Sequence, residues 1–305
     1  MISCFYKLYY LFKPMLPRRV QISLRRLVAR WKQSRYRHSW PIDESAANPP
    51  KNWRGWPGDK KFALILTHDV ELAGGQEKCL PLMELEKRYG FRSSFNFVPE
   101  RYPVSKEVQQ ILRSNNFEIG VHGLYHDGKL YQSEKIFRQR AEKINRYLAD
   151  WQAAGFRSPS MHHNLAWLHH LNIKYDLSTF DTDPFEPQSD GVATIFPFRV
   201  QNGLPEKNYV ELPYTLVQDY THFIMLKKTD IKIWQEKLDW IVAKGGMALL
   251  NTHPDYMNFN GNQFKPDEYT AAYYEEFLKY VHTKYKDQYW NVIPKVLAAF
   301  WQSRF

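Results

Sequence analysis

Residues 62–71 read Phe62-Ala63-Leu64-Ile65-Leu66-Thr67-His68-Asp69-Val70-Glu71. The unbroken apolar run from Phe62 predicts a strand buried on both faces, as in a parallel sheet covered by helices. Its C-terminal end turns polar. In parallel α/β folds, reactive side chains gather at that end of the strands.

The same alternation continues outward from this strand. A helix is expected around residues 76–89, closing at Gly90, then a strand at 94–98, a helix at 106–114 and a strand at 117–121. Phe137, Ala141, Ile144, Leu148 and Trp151 make the apolar stripe of a long helix over 133–151, with Gly155 just beyond it. A strand at 210–212 precedes a helix begun at Asp230 and stopped by Gly245-Gly246, and the last strand covers 247–252. Strands and helices alternating over about 240 residues predict a parallel α/β barrel or open sheet. Neither a Walker-type loop nor a GxGxxG stretch occurs, which argues against nucleotide chemistry.

Charge divides the chain. Residues 1–40 hold ten of the 42 Lys and Arg residues and no acid, which leaves the remainder balanced at 32 of each sign. We therefore read residues 1–45 as a basic amphipathic N-terminal arm and residues 46–305 as the catalytic barrel. Val20, Leu24, Leu27, Val28 and Trp31 recur at helical spacing in the arm, and Tyr9, Tyr10 and Phe12 add aromatic anchors. Residues 1–37 thus suit an anionic membrane surface, whereas the neutral body argues against a nucleic-acid partner. The stretch Leu8–Phe12 is interrupted by Lys13 and Pro14, so it reads neither as a secretory signal nor as a membrane span. Cys4 and Cys79 form no disulfide framework. The expected location is cytoplasmic, peripheral at the inner face of the membrane.

Candidate chemistry sits where the strands end. His122 and His126 are four apart, a spacing that with one carboxylate holds Zn²⁺ or a similar divalent ion. Gly123 stands where a zinc protease of the HExxH type carries its glutamate, which excludes that motif. Asp69 and Glu71 supply two carboxylates at the end of the first strand, one to ligate and one to take a proton from water. Arg157 suits a carboxylate brace, and His253, after the apolar run 247–250, suits a general acid. The neighbouring pairs His162-His163 and His169-His170 are read as structural or near substrate, because adjacent residues on a helix do not face one point.

In this order the segments resemble the motifs of the polysaccharide deacetylase (NodB-like, carbohydrate esterase 4-type) family. Thr67-His68-Asp69-Val70-Glu71 resembles its TFDD motif, His122 and His126 its His-x₃-His pair, Arg157 and Pro159 its Arg-x-Pro, and Leu250-Asn251-Thr252-His253 its Leu-x-x-His. The stretch at Asp181 and Asp183 resembles its aspartate motif. The resemblance implies an irregular (β/α) barrel and a metal-dependent hydrolase that removes N-acetyl groups from an N-acetylated carbohydrate. It implies a divalent metal, Zn first and Co, Ni or Mn as alternatives, on His122 and His126. It makes Asp69 the base braced by Arg157, and His253 the acid oriented by Asp181 or Asp183. The family's second Asp is Val70 here, so Glu71 becomes the nearest third ligand, and the choice between Glu71 and Asp69 as ligand stays open. Two rival readings are a carbon–nitrogen hydrolase acting on a non-sugar amide and a non-catalytic sugar-binding module.

Overall fold

In the computed structural model, residues 18–203, 207–261 and 264–304 are described. Cys4, Tyr9, Tyr10, Phe12 and the other features read in residues 1–17 lie outside them. Helix α1 (Arg18–Arg35) is followed by a segment that wraps onto the body, with Trp40 and Trp56 buried. The Trp40 ring meets Phe185 edge-on, centroids 4.9 Å apart.

Strand β1 (Phe62–Val70) is buried at every position, as its unbroken apolar run requires. The single helix expected over 76–89 is two, α2 (Ala73–Glu77) and α3 (Cys79–Arg88). Within α2, the Asp255 carboxylate sits where a Cβ on Gly75 would stand, about 2.3 Å from its nearest oxygen. Next come β2 (Ser93–Phe97), α4 (Lys106–Ser114), β3 (Glu118–His122), α5 (Glu134–Asp150) and β4 (Gly155–Arg157). Ser105 and Ser133 cap α4 and α5 by accepting from Val108 N–H and Ile136 N–H. The stripe Phe137, Ala141, Ile144 and Leu148 faces inward, as the spacing predicts.

The chain continues through α6 (Leu165–Leu168), β5 (Tyr175–Asp176), β6 (Phe198–Val200) and β7 (Tyr209–Glu211) to a π-helical turn at Tyr220–Met225. Helix α7 (Lys232–Lys244) and β8 (Met247–Thr252) precede the short pair β9 (Met257–Asn258) and β10 (Tyr269–Thr270). Helix α8 (Ala271–Lys284), β11 (Tyr289–Asn291) and α9 (Pro294–Arg304) complete the order. Ile231, not Asp230, is the N-cap of α7; the Asp230 carboxylate still accepts from Lys232 N–H at 3.2 Å. Gly245 ends α7 with left-handed backbone, φ 71°.

The main sheet runs β11-β1-β2-β3-β4-β5-β7-β6, with β8 also paired to β1. Every pairing in it is parallel except β6 with β7. Beyond β7, bridges join Phe180 to Tyr214 and Leu216 to Leu250, leading the sheet round to β8 and so back to β1. The result is a curled, irregular (β/α) barrel whose strand C-termini share one rim.

Candidate active site

The rim holds what the strand ends predict. Asp69 is the penultimate residue of β1 and Glu71 follows the strand; two apart on extended chain, they share a face while Val70 turns into the core. His122 ends β3. Gly123 and His126 then both adopt left-handed backbone, φ 64° and 54°. A Cβ on Gly123 would lie about 2.4 Å from the Pro159 ring, so this turn needs glycine. A non-glycine residue held at positive φ, as His126 is, stores strain of the kind found at functional sites.

The turn brings His122 and His126 onto Glu71. One ligand atom from each of these three residues lies within 4.8 Å of the other two. His126 Nε2 is 3.0 Å from Glu71 Oε1. His122 Nδ1 is 3.1 Å from the Arg157 carbonyl, which sets its tautomer, and its buried Nε2 has no hydrogen-bond partner. Burial pushes His122 down to about 4, so its imidazole is neutral near pH 7. Two imidazoles and a carboxylate, with an orphaned nitrogen aimed into the cluster, fit a divalent metal.

Asp69 stands beside this cluster, its Oδ2 4.0 Å from His122 Nε2. It accepts from Asn96 Nδ2 (2.9 Å), Arg157 Nη1 (3.1 Å) and Asn251 Nδ2 (2.9 Å). Burial alone would raise its carboxyl, but Arg157 and then His122 hold it well below the usual carboxylate range. Arg157 is fully buried and anchored further by the Leu177 carbonyl (2.9 Å) and Asn251 Oδ1 (2.5 Å), so the expected brace is in contact.

His253 follows β8 and reaches the same space, its Nε2 4.0 Å from Glu71 Oε1. Its partner is Asp219, not Asp181 or Asp183. Asp219 Oδ1 lies 2.7 Å from His253 Nδ1, and its Oδ2 accepts from His253 N–H (2.8 Å) and Tyr269 OH (2.9 Å). Burial alone would lower His253, but the Asp219 carboxylate outweighs it and, with Glu71 and Asp69, holds the imidazole up at about 10. The expectation that Asp181 orients His253 is therefore corrected. Asp181 is buried in a pair with Lys237 (2.7 Å), and Asp183 accepts from Tyr214 OH (2.8 Å).

Asp219 was missed because no strand was expected over 214–217. The signal was present: Leu216-Val217 is an apolar pair ending in Gln218-Asp219, and Leu216 bridges to β8. Asn96, Asn251, Gln218 and Glu186 were also passed over as site residues. The last three form a chain, with Asn251 Nδ2 donating to Gln218 Oε1 (3.1 Å) and Gln218 Nε2 to Glu186 Oε1 (2.6 Å), while Asn96 joins it through Asp69. His163 Nδ1 meets the Met161 carbonyl and His169 Nδ1 the Lys207 carbonyl, both at 2.9 Å.

These groups open onto a cavity of about 770 Å³. Asp69, Glu71, His122, His126 and His253 line its floor, and Leu24, Leu27 and Val28 of α1 line a wall. Ser160, next after Pro159, also lines it, with φ 55°.

No family model and no curated protein matches the chain. Solved structures do. One carrying a polysaccharide-deacetylase name from Mycobacterium smegmatis has TM-score 0.64 at 18% identity, over 84% of this chain and 95% of that one. Another so named from Pseudomonas aeruginosa PAO1 has TM-score 0.63 at 18% identity, over 87% and 98%. PuuE allantoinase has TM-score 0.63 at 17% identity, over 87% and 98%. The curled barrel is thus the fold of the polysaccharide deacetylases.

Proposed function

We propose that this chain is a metal-dependent hydrolase that removes N-acetyl groups from an N-acetylated carbohydrate. One observation carries the reading. Glu71, His122 and His126 converge to ligand distance beside a carboxylate clamped by Arg157 and a histidine backed by Asp219, all in one cavity. The deacetylase fold supports it.

His122, His126 and Glu71 would hold the metal. When bound, a divalent ion polarises an amide carbonyl and makes its water acidic enough to be a nucleophile near neutral pH. Asp69, kept ionised by Arg157 and with its oxygens fixed by Asn96 and Asn251, accepts the proton as water attacks. Asp219 keeps His253 protonated with Nε2 turned to the cavity, ready to donate to the departing amine. The buried side chains reorganise little as charge develops.

Release of acetate from N-acetylhexosamines and their oligomers, measured beside simple and cyclic non-sugar amides, tests the reading. Turnover of the sugars with loss on chelation is expected. Turnover confined to non-sugar amides would favour the rival hydrolase, which the likeness to an allantoinase keeps in view.

A further inference from the structure

Helix α1 is turned the opposite way from a helix laid on a core. Its inward side makes largely polar contacts. Arg25 Nη1 donates to Tyr220 OH (3.3 Å), Arg26 Nε to the Ile224 carbonyl (2.8 Å) and Lys32 Nζ to the Pro184 carbonyl (2.5 Å), with Ile22 and Ala29 buried beside them. The apolar stripe faces out: Val20 and Leu24 are 42% exposed, Leu27 and Trp31 62%. Surface helices ordinarily bury such a stripe and expose their charges. A contiguous exposed apolar face of this kind marks an interaction site.

Charge says what it meets. Arg30, Arg35 and Arg37 are exposed around the stripe, the Arg35 guanidinium lies 5.8 Å from the Trp31 ring centroid, and residues 1–40 contain no acid. An apolar stripe with tryptophan, flanked by cations and neutral polar residues and by no acid, complements an anionic bilayer interface. The stripe is also continuous with the catalytic cavity, because Leu24 and Leu27 belong to both.

We propose that the outer face of α1 seats in the interface of an anionic bilayer, and that the cavity it walls takes an N-acetylated sugar carried on a membrane-embedded lipid. In its substrate half this rests on the hydrolase reading above; in its surface half it does not. With α1 in the interface, the lipid tail stays in the bilayer beside Leu24 and Leu27 while the sugar reaches the rim.

The test uses the full chain and a Val20→Ser, Trp31→Ser variant, since neither residue lines the cavity. Partitioning onto phosphatidylcholine vesicles with and without phosphatidylglycerol is measured at low and high salt. Activity is measured on an N-acetylhexosamine bearing a long isoprenoid phosphate chain in those vesicles, and on the free sugar. Expected are binding to anionic vesicles that salt weakens, at least ~10-fold weaker binding by the variant, and a similar rise in its KM for the lipid-borne sugar alone. Equal partitioning of the two proteins, or equal KM for lipid-borne and free sugar, would overturn the proposal. So would a dimer abolished by the substitutions without vesicle binding. If neither sugar is hydrolysed while vesicle binding holds, the hydrolase reading falls, and the lipid-borne substrate with it, but the docking surface stands.

Discussion

Asp69 and Glu71 are two residues apart, yet their surroundings divide them. Asp69 is held by Arg157, Asn96 and Asn251, while Glu71 lies 3.0 Å from His126 and meets Asp69's clamp nowhere. Asp69→Asn should keep a bound metal and lose turnover by roughly 10²–10⁴-fold, the range for a general base. Glu71→Ala should lose the metal first. Metal analysis beside kcat checks this, and the reverse pattern would exchange the two roles. Asp219 positions His253 without reaching the cavity floor. Asp219→Asn should lower kcat by about 10²-fold or more with KM nearly unchanged, because His253 then loses the carboxylate that keeps it protonated for the departing amine. A parallel rise in KM would mean that Asp219 only supports the fold. At this scale the sequence showed where chemistry and strand end coincide, so that Asp69, His122, His126, Arg157 and His253 could be expected to meet, as they do. It misled at Asp181, whose carboxylate is neutralised by Lys237, a residue more than fifty positions away. No local pattern encodes that pairing.

Among the elements, β3 couples the site to the opposite end of the barrel. His122 ends it at the rim, and Glu118 begins it, accepting from Tyr175 OH (2.8 Å) and from Lys295 N–H at the start of α9 (3.0 Å). Burial pushes the Glu118 carboxyl up to about 7 despite both bonds. Below its unfolded value, about 4.3, both states are protonated and nothing is lost. As pH rises from there to 7, the unfolded chain releases the proton and the folded chain does not, so stability falls across that window and levels off above it. Glu118→Gln removes this titration and should reduce the stability lost between pH 5 and pH 8 by about 2 kcal/mol. Denaturant unfolding at both pH values measures it, and an unchanged difference would place the burial effect elsewhere. Most long elements were readable from periodicity, since β8 spans 247–252 as expected and α5 carries its stripe inward. The split between α2 and α3 was not, because neither glycine nor proline stands at Lys78, where it falls. The π-helical turn after Asp219 has no sequence period of its own.

For the whole molecule, the barrel follows from alternation, while the orientation of α1 does not. Periodicity located the stripe at Val20, Leu24, Leu27, Val28 and Trp31 without saying which side it faced. Three polar anchors onto Tyr220, Ile224 and Pro184 decide that, and they turn Val28 partly inward and the other four out. Among the described residues no helix is long and apolar enough to cross a membrane. The rim unites β1, β3, β4 and β8 around one cluster whose ligand atoms are spaced to hold a metal. Metal content of the purified protein, compared with its His122→Ala, His126→Ala double variant, tests that role most directly. Near one divalent ion per wild-type chain is expected, and almost none in a folded double variant. Near-stoichiometric metal in the double variant, or none in wild type after incubation with Zn²⁺, Co²⁺, Ni²⁺ and Mn²⁺, would contradict it.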